Sequence, residues 1–418
     1  MSAHPHPPMG LLDDPVAVTG IGVILPGAAS AGEYWEVLLR GESRAATLST
    51  VDTDGLRVRF GCQVHTDPTA VLSTRETNRM DRFSHLAMYA GLAAVQDAAP
   101  PAELDTDRCG VILGVGLNGM ATFDREYRRF VSGQPIHPLF IPLAMPNAAA
   151  ANLALRLGWY GPTLAVNTAC SSSAYALGDA ARLVAAGELD MALAGGVETP
   201  LNMLMLTAFA GLGALSTGND EPHRACRPFD KDRDGFVLGE GAALCVLERL
   251  SSARRRGARP YALIAGYGRN GDAHHLVAPR ADGDKARWCI AEALRDAGLT
   301  PAGIGHINAH GTATQANDVA EARAITAIFG ESPPPVTATK GTIGHLIGGT
   351  AAAEAIACLL AIRHGLIPPT ANFQTPDPQC PLDVVAGKPR ELPPGAILSN
   401  SFAFGGHNAA LVFAPAPE

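Results

Sequence analysis

Basic residues are in deficit in this chain. Its 418 residues carry 32 Lys and Arg against 40 Asp and Glu, a formal net charge of −8. No cationic excess exists to neutralise a phosphate backbone, which excludes a general nucleic-acid binder. No apolar run reaches the roughly 18 residues that a bilayer span needs, so no membrane partner is expected. Met1 to Asp14 is rich in Pro and His, with neither a basic start nor an apolar stretch. It reads as a disordered lead-in and not as a signal peptide. Paired cysteines are missing too. Cys62, Cys109, Cys170, Cys226, Cys245, Cys289, Cys358 and Cys380 are scattered, and none forms a C-x-x-C motif. That usage fits reduced thiols in a cytoplasmic protein. His306 and His310 stand four apart but on a strand-to-loop segment, without the Glu of H-E-x-x-H, so no metal is expected.

What is present is apolar and small. The hydrophobic fraction is 47%, with 45 Gly. A chain of this length suggests two domains, or one large α/β unit made of two halves. Strands are predicted at 16–23, 110–116, 162–166, 191–196, 235–247 and 261–268, then at 304–310, 336–339, 396–402 and 408–413. Helices are predicted at 31–39, 83–99, 147–157, 173–186, 285–297, 318–329 and 345–364. Residues 48–81 read as a polar surface excursion. Strands alternating with buried helices in two comparable halves predict a layered α/β fold, although no strong residue-level repeat is visible. The Arg254-Arg255-Arg256-Gly257 segment is the predicted midpoint. It divides a lead-in (1–14), a first half (15–256) and a second half (257–418).

Two motifs are set aside. Gly114-x-Gly116-x-x-Gly119 matches the dinucleotide fingerprint, but the expected helix and ribose-binding acid are not apparent; close backbone approach explains the glycines better. Asp230-x-Asp232-x-Asp234-Gly235 resembles a calcium loop, but position 241 is Gly and a strand follows, which favours a salt-bridged structural turn.

The chain is organised around Val166-Asn167-Thr168-Ala169-Cys170-Ser171-Ser172-Ser173. A short β-prone run precedes it. An Ala/Leu-rich helix follows and closes at Gly187. Cys170 therefore sits on a sharp strand-to-helix turn, where unpaired N–H groups favour a thiolate or an oxyanion. Two histidines have motif-like surroundings: His310 before a Gly/Thr loop, and His345 between a small-residue turn and a helix start. A helix N-terminus holds an imidazole neutral, so that it can donate without carrying charge. A thiolate that forms a thioester, two imidazoles that stabilise an enolate left by loss of CO2, and backbone donors for the thioester oxygen make a condensing site. The Phe404-Gly405-Gly406 turn can supply one such donor.

At this point a resemblance becomes specific. The chain resembles a β-ketoacyl-acyl-carrier-protein synthase of the thiolase superfamily, in the Cys-His-His branch. The residues that carry it are Asn167-Thr168-Ala169-Cys170-Ser171-Ser172, Arg227 to Gly241, His310-Gly311-Thr312-x-Thr314, Lys340-Gly341-x-x-Gly344-His345, and Asn400 to Asn408, in family order from Val16 to Phe413. The resemblance implies the five-layered αβαβα thiolase fold of two similar halves, usually a dimer with the strand before Cys170 at the interface. It implies that Cys170 carries the acyl chain and that His310 and His345 serve decarboxylation. Lys340 and Glu354 would be supporting charges, and the N–H groups of Cys170 and Phe404 the oxyanion hole. Thr312, Thr314, Phe404 and Gly405 would line the pantetheine tunnel, with Phe404 as gate. No cofactor is implied beyond the phosphopantetheine of an acyl carrier protein, which is the expected partner. Arg75 and Arg79 match the family's docking helix, but Asn78 stands where a basic residue is common.

Gln315 replaces a Pro frequent in primary-metabolism members, and the Thr-Ala-Cys-Ser-Ser-Ser elbow leans toward polyketide ketosynthases. The expectation is therefore an acyltransferase that condenses a Cys-bound acyl chain with malonyl-carrier protein in type II polyketide or specialised fatty-acid biosynthesis. The alternatives are housekeeping fatty-acid elongation, a thiolase-like enzyme acting on coenzyme A esters, and a non-catalytic chain-length subunit. The last normally lacks the nucleophile. Conversely, this chain can act as a homodimer or beside such a chain-length factor in a heterodimer.

Overall fold

The strand Val16–Ile24 (β1) is buried along its whole length, as a Val/Ile-rich run with two glycines predicts for a strand covered on both faces. It opens a pattern that the chain runs through twice. In a computed structural model describing residues 8–11, 13–117 and 119–417, the first pass is β1, helix Arg82–Ala98 (α1) and strand Cys109–Gly114 (β2). After helix Met120–Val131 (α2) come helix Ala148–Leu157 (α3), strand Thr163–Val166 (β3), helix Ser172–Ala186 (α4), strand Met191–Glu198 (β4), helix Met203–Gly211 (α5) and strand Gly241–Arg249 (β5). The second pass is strand Ala262–Gly271 (β6), helix Asp284–Asp296 (α6), strand Ile304–Asn308 (β7), helix Gln315–Phe329 (α7), strand Val336–Thr337 (β8), helix Thr350–His364 (α8), and strands Ala396–Ala403 (β9) and His407–Ala414 (β10).

The ten strands run in the order β8-β7-β9-β10-β6-β1-β5-β4-β2-β3. Reading outward from the centre, each half shows the same succession: two antiparallel pairings, then two parallel ones. The halves meet where β1 lies antiparallel to β6, through Ala17–Leu263 and Val18–Ala262. Helices α4 and α8 pack on each other and on strands of both halves, α1 and α3 cover the first half, and α6 and α7 cover the second. These are five layers, αβαβα, as expected. The segment 347–364 has the length and hydropathy of a membrane span, but it is the middle layer and is largely buried in protein.

A residue-level repeat that the sequence did not reveal explains how the outer helices sit so close. A Cβ on Gly20 would lie 2.3 Å from the Ala94 carbonyl oxygen, and one on Gly22 2.0 Å from that of Ala90. In the second half, Gly266 and Gly268 stand in the same relation to Ala293 and Cys289, at 2.3 and 2.2 Å. Each first strand thus offers a Gly-x-Gly face to residues spaced i, i+4 on its covering helix.

Several expectations shift. The lead-in 1–14 falls partly outside the described residues, but Met9 and Asp14 are tied to the fold. Met9 is buried and donates its N–H to Asp296 Oδ1 at 3.2 Å, and Asp14 accepts from Ser251. The excursion 48–81 is irregular but not superficial, because Val58, Phe60 and Cys62 are buried in the cluster that contains Cys170. The strand expected from Gly235 begins at Gly241, since Leu238 pairs instead with His345. A helix does follow Gly119.

Replacing Gly22 or Gly268 by Ala should lower stability by about 1–3 kcal/mol each, since the added methyl meets backbone that cannot move aside. Thermal denaturation measures this. An unchanged midpoint for either variant would show that the helix can retreat.

Candidate active site

Strand β3 ends at Val166, and a single 3-10 turn, Ala169–Ser171, separates it from α4. The turn is strained, with Ala169 at φ +50°. Hydroxyls hold it. Ser171 Oγ donates to the Thr168 carbonyl at 2.8 Å, while Ser172 Oγ accepts the Thr168 N–H at 2.9 Å and donates to the Ala169 carbonyl at 2.6 Å. Ser173 Oγ accepts from Ala352 N–H at 3.0 Å and ties the elbow to α8. This is the physical use of three consecutive serines at a helix start.

Cys170 lies 7% exposed on the wall of a cavity of about 360 Å³. His310, His345, Thr312, Thr314 and Phe404 line the same cavity. The two imidazoles are 5.6 Å apart and nearly perpendicular. Thr312 and Thr314 join hydroxyls at 2.9 Å. Lys340 and Glu354 lie behind the wall, fully buried. Lys340 Nζ donates to Glu354 Oε1 at 2.6 Å, to the carbonyl of His310, and to His310 Nδ1 at 3.2 Å. An ammonium has no lone pair, so Nδ1 of His310 is an acceptor and the ring proton sits on Nε2. His345 Nδ1 pairs with the Thr350 hydroxyl at 2.8 Å.

Gly405 is exposed and outside the cavity wall; its N–H donates to the Leu276 carbonyl at 2.8 Å. Its φ of +79°, with +74° at Gly406, permits the tight turn after Phe404. Arg75 and Arg79 are exposed at and just beyond the short helix Thr74–Thr77, away from the cavity wall.

The electrostatics amend two expectations. The Cys170 thiol is not pulled down. Burial pushes it up to about 12, against the pull of Lys340 and of the N–H groups of Phe404 and Cys170 itself. Those two N–H groups converge on the sulfur. Both imidazoles are held well below their ordinary value, first by burial and then by the Lys340 charge. For His345 the helix terminus is not the cause, because α8 begins five residues later, at Thr350.

Other residues had no legible local signal. Glu321, buried on α7, accepts the N–H of His310 and of Gly311 at 2.8 Å each and so fixes the loop that carries His310. Phe236 sets its ring edge-on to His345 at 5.1 Å. Glu198 accepts the N–H groups of Gly116, Leu117 and Gly348 at 2.7, 3.0 and 3.2 Å. A protein carboxylate thus takes the backbone donors that a nucleotide phosphate would need, and a Cβ on Gly114 would lie 2.2 Å from Ser173 N. The Asp230 loop is a structural turn as expected. Asp230 accepts from Asp232, Gln374 and Thr375, and buried Arg233 pairs with Asp377 at 2.6 Å and Asp318 at 3.5 Å.

Comparison with known proteins agrees with this geometry. Residues 13–253 match the model of the β-ketoacyl synthase N-terminal domain, and residues 261–374 that of the C-terminal domain. The chain is 42% identical over 404 residues to 3-oxoacyl-[acyl-carrier-protein] synthase 2 of Synechocystis sp., covering 95% of this chain and 97% of the relative. It is 39% identical over 403 residues to the Coxiella burnetii protein of the same name, with the same coverage. Among solved structures it is similar to the ishigamide ketosynthase/chain length factor, with a TM-score of 0.91, 34% identity, and coverage of 96% of this chain and 99% of the other. It is also similar to a type II polyketide acyl-carrier protein in complex with its ketosynthase bound to a hexaketide (AntDE:AntF), with a TM-score of 0.87, 31% identity and the same coverage.

A thiol pushed up to about 12 is neutral at physiological pH, and its thiolate fraction grows tenfold with each pH unit below that value. Alkylation of Cys170 by iodoacetamide, mapped by mass spectrometry, should therefore accelerate through pH 9 without levelling. A plateau below pH 8 would mean that the N–H groups and Lys340 outweigh burial.

Proposed function

The chain belongs to the β-ketoacyl synthase family, and we propose that it condenses a Cys170-bound acyl chain with a malonyl group on an acyl carrier protein, releasing CO2 and leaving a β-ketoacyl thioester on the carrier. The observation that carries this reading is the Lys340 clamp. It fixes one neutral imidazole with its N–H outward, beside a second neutral imidazole and a cysteine in one cavity.

In the loading step the Cys170 sulfur attacks the carrier-bound thioester. The developing oxyanion is held by the N–H groups of Cys170 and Phe404, and the carrier thiol leaves. The malonyl thioester then enters beside Thr312 and Thr314. Loss of CO2 places negative charge on the thioester oxygen, where His310 and His345 donate hydrogen bonds without having to give up net charge. No cofactor takes part in these steps; the carrier's phosphopantetheine brings both substrates. The half-buried Phe404, at the head of the Gly405-Gly406 turn, gates the acyl side. Arg75 and Arg79 are candidate contacts for the acidic carrier.

The polyketide or specialised reading rests on the Thr168–Ser173 elbow and on the ketosynthase structures above. The 42% identity to a protein named 3-oxoacyl-[acyl-carrier-protein] synthase 2 favours ordinary fatty-acyl elongation as the second reading. Retention of Cys170, His310 and His345 weighs against a purely chain-length-setting role. The eight unpaired, buried cysteines suit a reducing cytoplasm.

We also infer a dimer. Strand β3 ends the sheet with Leu164 exposed, and helix α3, which packs against it, presents Leu155 to solvent. An open edge beside apolar side chains is a surface that folded proteins normally cover. A second copy or a ketosynthase-like chain-length subunit would cover it.

Incubation with acyl-carrier proteins of several chain types, then malonyl-carrier protein, with intact-mass detection, tests the reaction. Cys170→Ala should accept no acyl group. His310→Ala and His345→Ala should load normally and lose condensation by about 10²-fold or more. Equal loss of both steps would assign the histidines a structural role. Light scattering after gel filtration tests the dimer. Leu164→Arg with Leu155→Arg should give monomers, and an unchanged dimer would move the interface elsewhere.

A further inference from the structure

Condensation consumes a proton that neither substrate brings. The enolate carbon bonds to the acyl carbonyl carbon, the C–S bond to Cys170 breaks, and its electron pair leaves on Sγ. The malonyl carboxylate has departed as CO2. Acyl-Cys170, malonyl thioester and one H⁺ therefore give β-ketoacyl thioester, CO2 and the Cys170 thiol. Solvent must supply that proton while a pantetheine arm fills the cavity through which water would otherwise reach the sulfur.

A second, smaller cavity of about 20 Å³ adjoins the first and shares Asp272, Asn317, Phe402 and Asn408 with it. Its wall also includes Arg280, Ala286, Ala320 and Glu321, of which Arg280 and Ala286 are partly exposed and Ala320 and Glu321 buried. That volume suits one water, and the wall offers the polar partners that a buried water requires. Glu321 is 1% exposed. Its Oε1 accepts from His310 N–H and from Asn400 Nδ2 at 3.2 Å, whereas Oε2, among the described residues, accepts from Gly311 N–H alone. Oε2 therefore keeps a lone pair that can hold a proton without releasing the His310 loop. Across the cavity, Asp272 Oδ1 accepts from Asn408 Nδ2 at 2.7 Å and Oδ2 from Arg280 N–H at 3.3 Å.

We propose that this small cavity is a water port, and that Glu321 passes a solvent proton through it into the Cys170–His310 cavity to restore the thiol after condensation. The port has no purpose unless the chain condenses, so it rests on the reaction above. Burial raises Glu321 to about 7, which suits exchange with water near neutral pH. The charged groups around it are Asp318 on its own helix, Asp272 and Arg280 across the port, and the Lys340–Glu354 pair behind His310.

The test leaves Glu321 untouched and closes the port. In Ala286→Leu and Ala320→Val, added methyl groups would displace the water. Pre-acylated enzyme is mixed with malonyl-carrier protein in H2O and in D2O under single turnover, and loading is followed separately. Loading should match the parent, while condensation slows by about tenfold and its solvent isotope effect rises above the parent's. Condensation and isotope effect both equal to the parent's in both variants would overturn the port. So would equal slowing of loading and condensation, which indicates a packing defect. A parent that loads but never condenses would refute the reaction itself, an outcome distinct from either.

Discussion

One buried cation holds the site together. Lys340 lies fully enclosed between Glu354 and His310. An isolated charge there would be costly by several kcal/mol, and removing one partner of such a pair commonly costs about 3–5 kcal/mol. That penalty fixes Lys340 where its Nζ can reach Glu354, the His310 carbonyl and the His310 ring at once. The imidazole then has one orientation and one tautomer. The same charge depresses His345 and draws on the Cys170 thiol. Cys170, His310 and His345 thus share one electrostatic neighbour that stands behind the cavity wall.

The site stands where the two halves of the fold meet. Helices α4 and α8 form the middle layer, and both begin at the cavity. The turn before α4 carries Cys170. The turns before α8 carry Lys340 and His345. The loop after β7 carries His310, and the bend between β9 and β10 carries Phe404. Four chain reversals converge, each held short between regular elements, which is how loop residues acquire the positional precision that this chemistry needs.

The layer order, most elements and the three residues that the cavity brings together, Cys170, His310 and His345, were legible in the sequence. Buried strands read as unbroken Val/Ile/Ala runs, and these three residues sit in small-residue turns whose composition has few other uses. Three things were not legible. The Gly-x-Gly repeat at 20 and 22 and at 266 and 268 is too short to stand out before the partner helices are placed. Glu321 looks like any acid on an Ala-rich helix until α7 is seen to carry it beneath the His310 loop. The upward push on the Cys170 thiol is not legible either, because local N–H groups are visible in a sequence while the depth of burial that outweighs them is a property of the whole fold.

The matching order of strands and helices in the two halves has a consequence for symmetry. The turn bearing Cys170 and the turns bearing Lys340 and His345 occupy corresponding places, each between the third strand of its half and the central helix. Two identical half-length chains paired about the β1–β6 seam would bring two identical turns to this point: two nucleophiles, or two proton-handling loops, but never one of each. The arrangement needs two unlike halves, which a single polypeptide supplies. Separating the halves into independent genes would preserve it only if they stayed an obligate unlike pair.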